Sequence, residues 1–226
     1  MKPMNEQHLA ILRRHMVEVI DIHFDLAAEE LGKSELYPEL RAALLQVPRH
    51  VFVPAQLAAV AYHDTPLPLG FDKTVSQPFI GALMLDLLEV RSGDKVLEIG
   101  TGLGYQAALL AQLGAEVWTV EIVEEFASEA AMRLLALGYT NVTLRVGDGS
   151  RGWAEHAPYD RILVTAASKE VPQELADQLK AGGRMVLPIG PSGEVQQLAV
   201  VEKQGDGRLV THEVMAVRFT QLETMA

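Results

Sequence analysis

Between Asp94 and Ala111 the chain reads Asp94-Lys-Val-Leu-Glu-Ile-Gly-Thr-Gly-Leu-Gly-Tyr-Gln-Ala-Ala-Leu-Leu-Ala111. A short apolar run, Val96–Ile99, is interrupted only by Glu98 and gives way to Gly100, Gly102 and Gly104. An Ala/Leu-rich stretch of helical character follows. This is a strand, a tight turn and a helix start. Alternate glycines let the backbone turn sharply and let a ligand reach main-chain N–H groups without Cβ obstruction.

The rest of the chain repeats that rhythm. Strands are expected at 96–99, 116–120, 142–146, 159–165 and 184–189, with helices over 106–113, 123–137 and 172–179 between them. Such alternation predicts a parallel sheet covered on both faces. After Gly190-Pro-Ser-Gly193 the pattern changes. Residues 196–203 and 209–216 flank Gln204-Gly-Asp-Gly207, which reads as an antiparallel hairpin with a glycine turn. Residues 217–222 read as a last piece of strand. The expected fold is α/β: a doubly wound, mostly parallel seven-stranded Rossmann-like sheet with a C-terminal antiparallel hairpin and an N-terminal helical extension. Residues 1–90 form the helical and loop part, and 91–226 the nucleotide-binding core.

Ahead of the core, apolar residues at three- and four-residue steps predict a helix over 5–31, stopped by Gly32. His8, His15 and His23 share spacings of seven and eight there. No matching carboxylate accompanies them, so a half-exposed helix stripe is favoured over a metal site. A second helix runs from Pro38 to Val47, and a short helical stretch covers 55–61. The proline-rich Tyr62–Gly70 loop cannot be a central strand. An apolar helix is expected over 80–88. Ser76 precedes it with Pro78 in its first turn, so Ser76 reads equally as an N-cap and as a functional residue.

Composition removes several chemistries. The 226 residues contain no cysteine, which excludes disulfides, thiolate metal sites and cysteine nucleophiles and fits a reducing cytosol. The net charge of −11 disfavours DNA or RNA as partner. The first residues lack a signal-peptide pattern, and no uncharged run approaches a membrane span of about 18 residues. A cytoplasmic location is therefore expected.

In open α/β sheets, ligands sit beyond the carboxyl ends of the strands. A dinucleotide fingerprint, G-x-G-x-x-G, would place glycine where this chain has Tyr105. The E-x-G-x-G-x-G form found here is associated with S-adenosylmethionine (SAM) instead. Glu121, closing the second strand, is placed to accept ribose hydroxyls, or is a solvated carboxylate heading a helix. Asp148-Gly149, after the third strand, is placed at an adenine edge, or is a plain turn. After the fourth strand, Val164-Thr-Ala-Ala-Ser168 lacks the Asn/Asp-Pro-Pro-aromatic motif of amino-group nucleic-acid methyltransferases.

Beyond the glycine loop, Val47-Pro-Arg-His-Val-Phe-Val-Pro54, Tyr62-His-Asp-Thr-Pro-Leu-Pro-Leu-Gly70, Thr74-Val-Ser-Gln-Pro78, Val96–Gln106 and Gly147-Asp-Gly149 together resemble the protein-L-isoaspartate O-methyltransferase family. The resemblance runs from about Leu40 to Phe219. It implies SAM-dependent methyl transfer to the free α-carboxylate of L-isoaspartyl residues in age-damaged proteins and peptides. The products would be S-adenosyl-L-homocysteine and an ester that collapses to a succinimide, beginning repair. No metal, nucleic acid or membrane is implied, and the chain would be a monomer or weak homo-oligomer. By the same resemblance Ser76 is the active-site serine. Thr74, Val75, Ser76, Gln77, Gly100, Thr101, Gly102, Gly104, Glu121, Ile122, Asp148 and Gly149 would hold the cofactor. Asp64, Pro66, Leu67 and Ser76 would shape the substrate side. Two features depart from the family: the long N-terminal helix, and Thr220-Gln221 where a Val-Pro pair is expected. The residues alone leave three other readings open: a SAM enzyme acting on another carboxylate, a non-catalytic SAM- or nucleotide-binding module, and an NAD enzyme, the last disfavoured by Tyr105.

Overall fold

Alternation along the central strands divides the apolar residues between two cores. Val96, Val117, Leu163, Val186, Leu198 and Val200 belong to one; Leu97, Ile99, Val120, Ile162, Val164, Met185, Leu187 and Val201 belong to the other. A sheet apolar on both faces must be covered on both. The computed structural model describes residues 5–191 and 193–225. Residues 1–4, part of the stretch read for a signal peptide, Ser192 of the Gly190–Gly193 turn and Ala226 lie outside the described residues.

The parallel strands are β3 (Lys95–Ile99), β4 (Glu116–Glu121), β5 (Val142–Val146), β6 (Tyr159–Val164) and β7 (Leu179–Ile189), and the antiparallel pair is β8 (Gln196–Lys203) and β9 (Leu209–Val217). The order β5-β4-β3-β6-β7-β8-β9 makes a seven-stranded sheet, as the sequence rhythm predicts. The chain leaves β3 in one direction through β4 and β5, then returns to its other side as β6. The switch point therefore lies between the carboxyl ends of β3 and β6, where a doubly wound sheet opens a crevice. A separate two-stranded hairpin, β1 (Leu67–Gly70) with β2 (Lys73–Val75), stands outside this sheet.

One core takes residues from α1 (Glu6–Leu26), α3 (Pro38–Gln46), α4 (Pro78–Leu88) and α5 (Tyr105–Gln112). The sheet's other face takes Leu175 of α7 (Gln173–Gln178). Helix α6 (Glu124–Ala136) contacts β4 and β5. Helix α1 is capped by the Asn5 side chain on the His8 N–H at 2.8 Å. The expected 5–31 helix is broken at Ala27, and one further turn, α2 (Ala28–Leu31), runs to Gly32 in the left-handed conformation. Neither glycine nor proline marks that break, so periodicity passes through it. Strand β7 begins five residues before the expected Arg184, through a register irregularity opposite Tyr159–Arg161. The 217–222 piece is not a strand of its own: β9 ends at Val217, and beyond it Gln221 makes a single bridge to Ala167.

Candidate active site

The glycine loop is built against β6. Gly100 has φ +92°, and a Cβ there would lie 2.4 Å from Thr165 Oγ1. That oxygen is fixed, donating to the carbonyls of Ile99 (3.0 Å) and Gly100 (2.8 Å). The Gly102 N–H donates to Glu121 Oε2 at 2.7 Å, and the Val123 N–H to Oε1 at 3.0 Å. Burial holds the Glu121 carboxyl above its ordinary range, against these backbone donors. The carboxylate at the end of β4 is thus locked beneath the loop, with lone pairs left for hydroxyl donors. Gly149 completes the cradle, since a Cβ there would lie 2.4 Å from Ile99 Cγ2. Gly104 does a different job. As N-cap of α5 at φ +98° it lets α6 approach, a Cβ there standing 3.3 Å from Ala130 Cβ.

Beneath the loop a buried polar chain runs from Glu98 to Thr101. The Thr119 hydroxyl donates to Glu98 Oε2 at 2.5 Å and lies 2.6 Å from the Thr101 hydroxyl. Glu98 has no solvent exposure, and its Oε1 has no partner among the described residues. Burial pushes its carboxyl up to about 8, with the charge of Glu121 adding to the shift.

Two hollows meet at this switch point. A cleft with an open volume of about 80 Å³ is walled by Gly100, Gly102, Glu121, Ile122, Phe126 and Gly149. Next to it lies a cavity of about 420 Å³ lined by Pro66, Ser76, Gln77, Ile80, Val195 and residues 216–219. Thr74, Thr165 and Thr220 line both, so they form the sill between them. A smaller recess on the cleft side reaches Val75, Ser76 and Thr101. The roof of the cleft comes from opposite ends of the chain: Leu69, Lys73 and Thr74 of the β1–β2 hairpin, and residues 220–223 of the tail. Lys73 pairs with Glu223 across it.

Ser76 is placed by a residue that sequence reasoning passed over. Arg49, 1% exposed, donates to the Ser76 carbonyl at 2.7 Å and the Ala61 carbonyl at 2.8 Å. Its guanidinium lies 4.9 Å from the Tyr105 ring centroid. The N-cap reading of Ser76 is not realised: Gln77 is the N-cap of α4, with no side-chain cap from either residue. That role falls to Asp64, which accepts from the Phe79 N–H at 2.9 Å and from Gln77 Nε2 at 2.7 Å. His23 comes within 3.6 Å of the same carboxylate, and its ring lies tilted against that of Phe79 with centroids 4.9 Å apart. Asp64 is therefore engaged beside α4 and lines neither hollow. Leu67 belongs to the core and Pro66 alone of that pair reaches the cavity.

Asp148 is also occupied. Its Oδ1 accepts from the Ser150 N–H and hydroxyl, and its Oδ2 from the Met225 N–H at 3.1 Å. Burial works to raise this carboxyl, but those donors and Arg151 outweigh it and hold it below the ordinary range. Of the expected adenine pair, Gly149 lines the cleft directly and Asp148 supports it from behind. Among the described residues no group of three His, Cys, Asp or Glu side chains is disposed to hold a metal. Thr165, Arg49 and Arg218 were missed from sequence, and Thr220 stood out there only as a departure from the family pattern. Of the three, Thr165 alone carried a signal, its position just past a strand end.

The donor set suits a nucleoside sulfonium: a locked carboxylate for ribose, a glycine cradle that any Cβ would fill, and an apolar wall from Ile122 and Phe126. A family model for protein-L-isoaspartate(D-aspartate) O-methyltransferase matches residues 28–225. A Polaromonas protein-L-isoaspartate O-methyltransferase 1 is 49% identical over 97% of this chain and 93% of its own. A Syntrophobacter fumaroxidans protein-L-isoaspartate O-methyltransferase 2 is 50% identical over 93% and 85%. A solved protein-L-isoaspartate O-methyltransferase superposes with a TM-score of 0.79 at 30% identity, over 92% of this chain and 65% of that one. A Plasmodium falciparum chain solved with S-adenosyl-L-homocysteine has the same fold, with a TM-score of 0.77 at 20% identity over 94% of this chain and 99% of its own.

Proposed function

The chain belongs to the protein-L-isoaspartate(D-aspartate) O-methyltransferase family, and from that premise we propose how its residues divide the work of methylating the free α-carboxylate of L-isoaspartyl residues in damaged proteins and peptides. SAM, when bound, supplies a methyl group on a sulfonium that a carboxylate oxygen can attack. The observation that carries the reading is the shared sill: Thr74, Thr165 and Thr220 line both the glycine-loop cleft and the cavity beside Ser76.

On the cleft side, Glu121 and the cradle of Gly100, Gly102 and Gly149 hold the cofactor's ribose and adenine, with Ile122 and Phe126 as the apolar wall. Thr101 and Gly104 support the loop from beneath rather than touching the ligand. On the other side, the substrate carboxylate enters between Pro66, Ser76 and Thr220. A carboxyl group with an ordinary pKa near 4 is already ionised at neutral pH, so no side chain has to remove a proton. Positioning and exclusion of water therefore carry the rate. The hydroxyls of Ser76 and Thr220 have no hydrogen-bond partner among the described residues. Each can donate to one carboxylate oxygen and leave the other to attack. Ser76 orients and forms no covalent intermediate. Arg49 fixes the Ser76 backbone, and the roof of residues 69–74 and 220–223 keeps water out. Residues 1–90 share the substrate wall with Val195 and residues 216–220, and residues 91–226 supply most of the cofactor platform.

Esterification makes the carbonyl a better electrophile. The following residue's backbone nitrogen then attacks it and expels methanol, closing a succinimide without help from the enzyme. The protein acts as a monomer or weak homo-oligomer in the cytoplasm, without nucleic acid. Among the described residues no helix is long and apolar enough to cross a membrane. Mass spectrometry of an isoaspartyl peptide incubated with the protein and SAM is expected to show a methyl ester that converts to succinimide with loss of methanol. Absence of the ester, with SAM bound, would overturn the reading.

A further inference from the structure

Among the described residues the cavity beside Ser76 has a single ionisable lining side chain, Arg218; its other walls, including Pro66, Gln77, Val195 and Phe219, are neutral. Most arginines here are spent on carboxylates: Arg41 on Asp21, Arg133 on Glu129, Arg184 on Glu89 and Glu202. Arg218 has neither an ion pair nor a hydrogen bond among the described residues, in a chain of net charge −11. Its backbone is nonetheless held on both sides. Val217 is buried and pairs with Gln196, and the Phe219 N–H donates to Gln196 Oε1 at 2.8 Å. Gln196 is itself 1% exposed and donates to the Pro191 carbonyl. The guanidinium is thus a free fork on a fixed base at the rim of the cavity.

Its partner is not the reacting carboxylate. That group loses its charge as the ester forms, and a guanidinium paired with it would stabilise the starting anion more than the transition state. Arg218 is exposed and lines the cavity alone, whereas Thr220 also borders the cofactor cleft. The group it meets lies on the chain entering the cavity. We infer that Arg218 is a specificity-determining residue that reads a second carboxylate on the substrate, borne beside the isoaspartyl residue. This rests on the isoaspartyl reading above. A planar fork matches a carboxylate in a bidentate arrangement that a lysine would not reproduce. Two sources fit, an acidic side chain or a free chain terminus.

The test uses amidated isoaspartyl peptides differing at one flanking residue, Glu, Gln or Lys, placed in turn at the two positions on either side. A Gln peptide with its carboxyl terminus left free is added to the set. For the unmodified enzyme, KM is expected to be about three- to tenfold lower with Glu than with Gln in at least one position, the range for a partly exposed charged pair, with kcat nearly constant. The order Glu, Gln, Lys is expected to flatten in Arg218→Gln and invert in Arg218→Glu. SAM affinity by calorimetry should stay within about twofold in both variants, which shows that they fold. An advantage confined to the free-terminus peptide assigns the carboxylate to the chain end. Equal KM values for all peptides, or an order unchanged in Arg218→Glu, would overturn the inference. Failure to methylate even the Gln peptides would instead strike the isoaspartyl reading.

Discussion

Replacing Arg49 by methionine removes a buried cation and leaves its surroundings nearly filled. Two carbonyls, of Ala61 and Ser76, lose donors at 2.8 and 2.7 Å, and the Tyr105 ring loses a cation 4.9 Å from its centroid. Hydrogen bonds to a charged group contribute about 1.5–3 kcal/mol each, and a buried acceptor left unpaired costs about 1–3 kcal/mol. Against this stands the desolvation of the guanidinium, which also lowers its pKa from the ordinary value. Methionine recovers that term. The balance is a loss of about 3–5 kcal/mol, or roughly 6–20 °C in Tm at about 2–4 °C per kcal/mol for a chain of this size. Because the Ser76 carbonyl is released, kcat/KM for an isoaspartyl peptide is expected to fall about 10- to 100-fold, while SAM affinity changes less than about threefold. Thermal and urea unfolding, steady-state kinetics and calorimetry measure the three quantities. A stability loss under about 1 kcal/mol together with kcat/KM within about twofold of the unmodified enzyme would refute the placement of Ser76 by Arg49.

Gly100→Ala would put a Cβ against the fixed Thr165 hydroxyl at 2.4 Å, in a backbone region that itself costs about 1–2 kcal/mol. SAM affinity is expected to drop about 100-fold or more in a folded protein, and calorimetry finding less than about a tenfold change would contradict the cradle. Glu98 has its folded-state pKa raised from 4.5 to about 8, so its contribution favours the fold below 4.5 and is lost progressively up to about 8. Glu98→Gln, neutral throughout, should match the unmodified protein near pH 4.5 and exceed it by about 3 kcal/mol at pH 7 in urea unfolding, at about 1.4 kcal/mol per pH unit; a difference independent of pH would contradict this. Deleting residues 223–226 removes the partner of Lys73 and the Met225 N–H on Asp148. Stopped-flow measurement should find SAM dissociating about tenfold faster, the cost of losing roughly one charged contact over the cleft, and an unchanged rate would show that the tail is no roof.

The sequence made the sheet legible because strands apolar on both faces, separated by helices, have few other ways to bury themselves. Gly100 and Glu121 were legible because a positive-φ turn and an acid at a strand end have positional meaning in that fold. What escaped depends on contacts between distant parts of the chain. Ser76 reads equally as a cap and as a functional residue from its place before a helix, and only the resemblance favours the second. The actual donor acceptance is by Asp64, 15 residues before Phe79, which no local pattern reports. Lys73 meets Glu223 across 150 residues. Thr220 and Arg218 lie past the last regular strand, where periodicity stops carrying information, and they are brought to the cavity by the anchoring of Phe219 on Gln196 and of Thr220 and Leu222 on Ala167. Arg49 reads as a surface charge in a proline-bracketed loop until the Ser76 carbonyl is folded onto it.

The function proposed for the cavity beside Ser76 is to accept the free α-carboxylate of an isoaspartyl residue rather than any peptide carboxylate. Two peptides of one sequence, one with L-isoaspartate and one with L-aspartate at a single position, present the same charge and differ only in which carboxylate is free. The kcat/KM for methyl transfer from SAM should be at least about 100-fold higher for the isoaspartyl peptide, a discrimination of about 3 kcal/mol in transition-state binding. Equal rates on the two peptides, or turnover of neither by a protein that binds SAM, would contradict the account.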